Sequence, residues 1–560
     1  MKDETATGLG ARSGARVLVD QLLAQGVERA TCVPGESYLS VLDALIDSGI
    51  DLMTCRQEGG AAMMAEAHGK MTGRPGICFV TRGPGATNAS AGVHVAMQDS
   101  TPMILFVGQV AREMKEREAF QELDYKAVFG TMTKWTVEID DAARIPEIVA
   151  RAFRTAMQGR PGPVVIALPE DMLADMVSVP DAPWVEAPQI APVAQDIARL
   201  EDLLQRAQRP IVILGGGGWS PEARESVIHF AERWALPVAV SFRRTGLFPA
   251  DHDLYVGDLS LGPNPALTEA IRGSDLVLML GTRLSEIASN GYTLFDIPTP
   301  GQQVVHVHAD PEELGRVYQP TLGLTATPMG LMLALEGLTP SALPSGDWAM
   351  ACRGAYLDWS EVPQPNPGPL QMGEIICWLR DRLGPRDYIA NGAGNFATWI
   401  NRYYRFRGYQ TLLAPTCGSM GYGLPAGIMA KRTYPERMAV TIAGDGDFMM
   451  TGQEFATAVH HDIPVVVVVV DNGMYGTIRA HQEREFPARV SATDLTNPDF
   501  AALAMAYGGH GERVETTEAF PAAFERAVES GKPAILHCLL EKEAISVSRT
   551  LTGIRDRTFP

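Results

Sequence analysis

The sequence has no apolar run near the ~20 residues that a membrane-spanning helix requires. Its longest obvious one, 463–470, has the length of a buried strand. There is no excess of positive charge: 47 Lys and Arg stand against 66 Asp and Glu, for a formal charge of −19. That balance argues against nucleic acid and against a polybasic membrane anchor. Cysteines are few, odd in number at seven, scattered, and form no CxxC pair. Neither a disulfide frame nor a zinc site is expected, and reduced thiols in a cytoplasm fit instead. The opening stretch MKDETATGLG is polar and partly acidic, unlike a secretory or mitochondrial leader. No short-period repeat is visible either.

What is present is a 560-residue chain, 46% hydrophobic and 20% charged, with the composition of a globular protein that buries large cores. Two Pro-rich stretches, 179–195 and about 338–371, read as linkers. They leave three segments, 1–180, 195–340 and 370–550, each of domain size. In each, short β-branched runs alternate with helical patterns; strands are expected at 76–80, 103–107, 164–168, 211–214, 276–280, 304–307, 440–443 and 465–470. Runs apolar at every residue suit parallel strands covered on both faces. The fold class expected is therefore α/β, three doubly wound parallel-sheet domains.

The strongest chemical signal lies in the third segment. A strand runs into Gly444-Asp445-Gly446, and 27 positions beyond Asp445 a second strand ends at Asp471-Asn472-Gly473. Singly, a GDG is a turn and a DNG a loop. Together, at the carboxyl ends of two parallel strands, they stand where open α/β sheets bind ligands. A carboxylate, an amide oxygen and a backbone carbonyl are hard donors suited to Mg²⁺, which completes its octahedron with diphosphate oxygens. Gly444 and Gly446 let backbone approach the phosphates, and the helix after Asp447 turns its amino end toward them.

This pair resembles the diphosphate–metal motif of thiamine diphosphate enzymes. Across the chain, RQEGGAAMMAEAHGKMTG, FVTRGPGATNASAGVHVAMQDSTPMILFVGQV, EAFQE and GSMGYGLPAGI are similar to the acetohydroxyacid synthase (acetolactate synthase) family. The resemblance implies a pyrimidine-binding first domain, a central Rossmann-like domain and a diphosphate-binding third domain. It makes Glu58 the carboxyl group that sets the cofactor's pyrimidine tautomer, acting across a subunit interface, so that a homodimer is the smallest active unit and a homotetramer is expected. It makes Met420 the apolar wedge under the cofactor, and the Gly418 carbonyl the acceptor for its 4′-amino group. Asn395 stands where the family has a diphosphate-contacting Gln. The metal set becomes Asp445, Asn472 and the backbone carbonyl of Met474. Gln121 matches a polar residue facing the reacting carbonyl, Arg160 a flavin contact, and Arg283 the arginine that holds an acceptor carboxylate, a task for a bidentate fork. The central segment opens PIVILGGGGWSPEAR without a clean GxGxxG. FAD, ADP and no ligand are all open there.

The substrate pocket departs from the family. PGGA becomes Pro34-Gly35-Glu36-Ser37, the Lys of LPKD becomes Glu170, the Trp of GMVTQWQ becomes His481, and an apolar Met becomes Arg243. Glu36 and His481 are candidate acid–base groups. These exchanges lead us to expect a larger or more polar substrate than the family's usual 2-keto acids. Two enzymatic readings follow. The leading one is a carboligase that decarboxylates a 2-keto acid and joins the fragment to a second carbonyl compound, favoured by Gln121 and Arg283. The other is a decarboxylase or lyase releasing an aldehyde, favoured by Glu36 and His481. A non-catalytic relative is disfavoured because Glu58, Asp445 and Asn472 are all kept.

Overall fold

The computed structural model describes residues 10–342 and 346–557. The first nine residues, from the polar opening stretch, and the last three of the sequence lie outside them. By density of internal contacts the chain divides into two compact units, Met1–Pro188 and Gln189–Pro560. The first holds one six-stranded sheet and the second holds two, and each also has a small two-stranded antiparallel sheet.

In all three six-stranded sheets every pairing is parallel. In the first unit β1 (Arg29–Cys32), β2 (Asp51–Thr54), β3 (Gly76–Val80), β4 (Met103–Gln109), β5 (Trp135–Glu138) and β6 (Pro163–Pro169) lie in the order β2-β1-β3-β4-β6-β5. The second unit begins with β7 (Pro210–Leu214), β8 (Val238–Ser241), β9 (Tyr255–Leu259), β10 (Leu276–Leu280), β11 (Gln303–His308) and β12 (Leu322–Thr325), ordered β9-β8-β7-β10-β11-β12. That is the dinucleotide-fold order, with its switch point between β7 and β10. Its last sheet contains β13 (Tyr388–Asn391), β14 (Leu412–Leu413), β15 (Ala439–Gly444), β16 (Val466–Asp471), β17 (His510–Val514) and β18 (Ala534–Leu539), ordered β14-β13-β15-β16-β18-β17. The first and last sheets thus share one topology, with switch points between β1 and β3 and between β13 and β15.

The strands are apolar on both faces because helices cover both. Along β7, Ile211 and Ile213 enter one cluster while Val212 and Leu214 enter the other, the period of two that a pleat imposes. The run of valines in β16 pairs with β15, Val468 opposite Ile442. In the first unit α1 (Glu58–Thr72) and α2 (Pro84–Asp99) cross closely through small residues. A Cβ on Gly92 would fall 2.5 Å from that of Ala62. Helix α1 is buried nearly all round, so its sequence carries little amphipathic signature.

The stretch 179–195 has no helix or strand before Ala194, as expected of a linker. Its first half is nonetheless pinned: Trp184 stacks under Arg74 at 3.8 Å, and Gln25 donates to the Pro183 carbonyl. The second stretch differs from expectation, because α3 (Gly346–Ser360) lies within it. Its prolines flank the helix instead of interrupting it, and Cys352 and Tyr356, one turn apart, bury against the central sheet's clusters.

Candidate functional site

A cavity of about 360 Å³ opens at the switch point between β13 and β15, roofed by Phe242, Leu261 and Ile287 of the central domain. Helix α4 (Asp445–Met449) begins directly after β15, and α5 (Gly476–Glu485) follows β16 by a short loop. Their first residues, with the loops after β13 and before Gly423, form the walls. Asn395, Gly418, Met420, Gly444, Asp445 and Gly446 all line the cavity. So do Asp447, Asn472 and Met474.

Asp445 is 3% exposed, and burial lifts its carboxyl above the ordinary range. Its Oδ1 accepts the Gly446 N–H at 2.9 Å and its Oδ2 accepts from Asn497 at 2.7 Å. The same Asn497 amide donates to Asp471 Oδ1 at 2.8 Å, and His537 meets Asp471 Oδ2 at 2.9 Å. Against the cost of burial, His537 and Asn497 hold Asp471 below its usual range. Asn497 and His537 were not legible as site residues. Their partners are distant in sequence, and the only hint was an Asn before a proline in NPDF.

Asn395 is fixed by Thr477, whose hydroxyl donates to its Oδ1 at 3.0 Å. Gly418 adopts φ +69° with open space where a side chain would be, and so leaves that wall bare. At Gly446 a Cβ would lie 2.6 Å from the Tyr475 ring, so only glycine admits this approach. Met474 buries its side chain with Ile545, Leu551 and Ile554. Asp447 is buried and its carboxyl is pushed up to about 7, chiefly by burial, against hydrogen bonds from Gly421 and Ala393.

In the first unit the loops bearing three further candidates gather at the carboxyl edge of β1 and β3. Glu58 opens α1 half-buried, and Asn88 donates to its Oε2 at 2.9 Å. Gly85, after β3, lies against it: a Cβ on Gly85 would be 3.3 Å from Glu58 Oε1. Gln121, at φ +66°, packs on Gly83, and Tyr125 accepts the Gly83 N–H at 3.0 Å. Glu36 is exposed in a 3₁₀ turn whose Ser37 hydroxyl meets Thr81 at 2.9 Å.

Other candidates lie elsewhere. Arg160 sits at the opposite edge, where it closes the end of α2 by donating to Met97 O at 2.7 Å and Ser100 Oγ at 2.9 Å. Arg283 follows β10 and does not line the cavity. His481 is exposed on α5, hydrogen-bonded by Arg484, and lies outside the cavity lining. Glu170 is paired with Arg82 at 2.9 Å. Arg243 does line the cavity, but its guanidinium donates to the carbonyls of Pro415 and Gly392.

Taken together, the sheets and the cavity define a three-domain thiamine enzyme, and comparison with known proteins agrees. The chain matches the N-terminal thiamine pyrophosphate-binding domain of such enzymes over residues 12–128, their central domain over 197–335 and their C-terminal thiamine pyrophosphate-binding domain over 392–538. It is 31% identical to the acetolactate synthase isozyme 2 large subunit of Escherichia coli K12 over 536 residues, 95% of this chain and 96% of that one. It is 32% identical to the acetolactate synthase large subunit of Parasynechococcus marenigrum, covering 94% and 87% of the two chains. With that of Corynebacterium glutamicum the identity is 29%, covering 95% and 87%. The chain belongs to the thiamine pyrophosphate-dependent enzymes of the acetolactate synthase type.

Proposed function

We propose that this carboligase works with Mg²⁺ beside thiamine diphosphate, taking a 2-keto acid as donor and a second carbonyl compound as acceptor. The observation that carries the reading is the cavity between β13 and β15, where Asp445 and Asn472 stand together at two strand ends. Asp445 and Asp471 place two carboxylates close together in buried surroundings, linked by Asn497. A divalent cation fits such a negative cluster. Among the described residues no three His, Cys, Asp or Glu side chains gather into a metal site of their own. A set of one carboxylate, the Asn472 amide and the Met474 carbonyl, completed by diphosphate oxygens, accords with that.

When bound, the cofactor supplies a carbanion that adds to a carbonyl and an electron sink for decarboxylation. The protein's part is to bind, orient and move protons. Glu58 would hold the pyrimidine in its reactive tautomer, Met420 and the Gly418 carbonyl would meet its ring, and Asn395 would hold the diphosphate. Gln121 would act on the reacting carbonyl and Arg283 on the acceptor's carboxylate. The family relation supports a homodimer as the smallest active unit, with Glu58 reaching a cofactor held by the other copy. Among the described residues no helix is long and apolar enough to cross a membrane. The central sheet has the dinucleotide-fold strand order, which supports a nucleotide at its switch point; flavin absorbance of the purified protein decides whether that is FAD.

The relatives are acetolactate synthases, which supports the carboligase over the aldehyde-releasing alternative. The deciding experiment is acetolactate formation from pyruvate with thiamine diphosphate and Mg²⁺. Acetolactate establishes pyruvate as donor and acceptor. Its absence with cofactor bound refutes the pyruvate reading, and aldehyde release in its place makes the enzyme a decarboxylase.

A further inference from the structure

The peptide group between Gly392 and Ala393, at the mouth of β13, is gripped on both sides by the side chains of Arg243 and Asp447. Its carbonyl accepts from Arg243 Nη2 at 2.8 Å, and its N–H donates to Asp447 Oδ1 at 3.0 Å. Each side chain then takes a second hold on one other loop. Arg243 Nη1 donates to the Pro415 carbonyl at 2.6 Å, and Asp447 Oδ1 accepts the Gly421 N–H at 2.9 Å. So the segment 415–421, which carries Gly418 and Met420, is fastened at its start by one side chain and at its end by the other. The segment after β13, which carries Asn395, is fastened by both.

The local geometry is built around this arrangement. Arg243 is 6% exposed and held at φ +57°, and Asp447 is 3% exposed. Gly392 is obligatory, because a Cβ there would lie 2.0 Å from Asp447 Oδ1. Arg243 comes from the central domain and Asp447 from the last, so the pair also ties the two together within their shared unit. Both side chains are out of water and face the same peptide from opposite sides. Loss of either therefore removes one of the two holds on that peptide and leaves the other to bear it alone.

We propose that Arg243 and Asp447 are coupled positioning residues, which through the Gly392–Ala393 peptide hold loops 392–395 and 415–421 at the spacing needed to grip the cofactor. This rests on reading the cavity as the thiamine diphosphate cradle. It also gives Arg243, where relatives carry an apolar residue, a role other than contact with a polar substrate.

The test is a double-mutant cycle of Arg243→Met and Asp447→Ser, with Arg243→Lys and Asp447→Asn as conservative variants. The readouts are the dissociation constant of thiamine diphosphate at saturating Mg²⁺, the circular-dichroism signature of its bound imino form, and the thermal midpoint of the cofactor-free protein. Trp399 lines the cavity and serves as the fluorescence reporter of binding. Each single variant should weaken cofactor binding about tenfold or more, and the double variant by clearly less than the product of the singles. The conservative variants should recover part of the loss. Losses that multiply, or a thermal midpoint that falls while cofactor affinity and dichroism stay put, overturn the coupling. An unaltered protein that fails to bind thiamine diphosphate overturns the cradle itself, and the pair with it.

Discussion

Replacing Glu483 by Gln tests how the helix that follows β16 is held. Glu483 lies on α5 with its side chain 1% exposed. Its Oε2 accepts from Arg555 Nε at 2.8 Å and from the Ala488 N–H at 2.9 Å; its Oε1 accepts from Arg555 Nη2 at 2.9 Å and Arg479 Nε at 3.0 Å. Arg555 belongs to α7 (Leu551–Arg555), whose Leu551 and Ile554 pack on Met474 and Ile545. The bidentate Arg555 pair outweighs burial and holds the Glu483 carboxyl down to about 2. Relative to an ordinary Glu near 4.3, linkage gives roughly 3 kcal/mol at neutral pH. Arg555 is 35% exposed, and screening on that side reduces this to about 2 kcal/mol. The contribution is complete above about pH 4.5 and is lost as pH falls through about 2. In E483Q, hydrogen exchange across 551–557 should quicken about thirtyfold at neutral pH. The unaltered protein should lose the same protection only in acid. Equal exchange in the two proteins at neutral pH would refute this account of how α7 is docked.

Three further substitutions probe the two half-sites. Glu58→Gln should lower turnover at least about a hundredfold with far-ultraviolet dichroism unchanged, because an amide still accepts from Asn88 but cannot set the pyrimidine tautomer. Asn497→Ala removes the amide that Asp445 and Asp471 share. The Mg²⁺ needed for half-maximal cofactor binding should shift about tenfold, a change that unperturbed Mg²⁺ titrations would contradict. Gly392→Ala drives a methyl into Asp447 Oδ1 and should abolish detectable cofactor binding by calorimetry while the first unit's melting is unaffected.

The legible parts of the fold were those in which every residue of a strand must be apolar. The bounds of β3 and β10, 76–80 and 276–280, are those the sequence alone implies, since both strands are central and covered on both faces. Edge strands gave no such signal. β14 is only Leu412–Leu413, and β17 reads HGERV, because an edge needs little burial. Helix α3 was hidden by the prolines on either side of it. In the site, Asp445 and Asn472 were legible because a strand end next to glycine has a chemistry of its own. The Asn497 bridge was not, because its two carboxylates are joined to it only by the fold. The polar exchanges say less: a charged residue type shows where charge is, not what it faces.

Glu170 shows the difference. The resemblance implies a lysine there, and its exchange for a carboxylate is one of those that suggest a larger or more polar substrate. In the structure Arg82 Nη1 donates to Glu170 Oε2 at 2.9 Å while Arg82 Nε donates to the Phe120 carbonyl at 3.1 Å. Gln121 follows directly in a left-handed conformation that must be held from outside. Glu170 therefore steadies the Gln121 loop through Arg82. Glu170→Lys would restore the family's residue yet set two cations together and free Phe120's carbonyl. The carboxylate is 37% exposed, so the direct electrostatic loss is small, below about 1 kcal/mol. The larger effect should come from misplacing Gln121, a fall in kcat/KM of about three- to tenfold with little change in thermal midpoint. Adding Arg82→Ser should recover little, because the hold of Arg82 on the Phe120 carbonyl is lost with it. A Glu170→Lys variant that turns over small 2-keto acids faster than the unaltered protein would show that Glu170 faces the substrate after all.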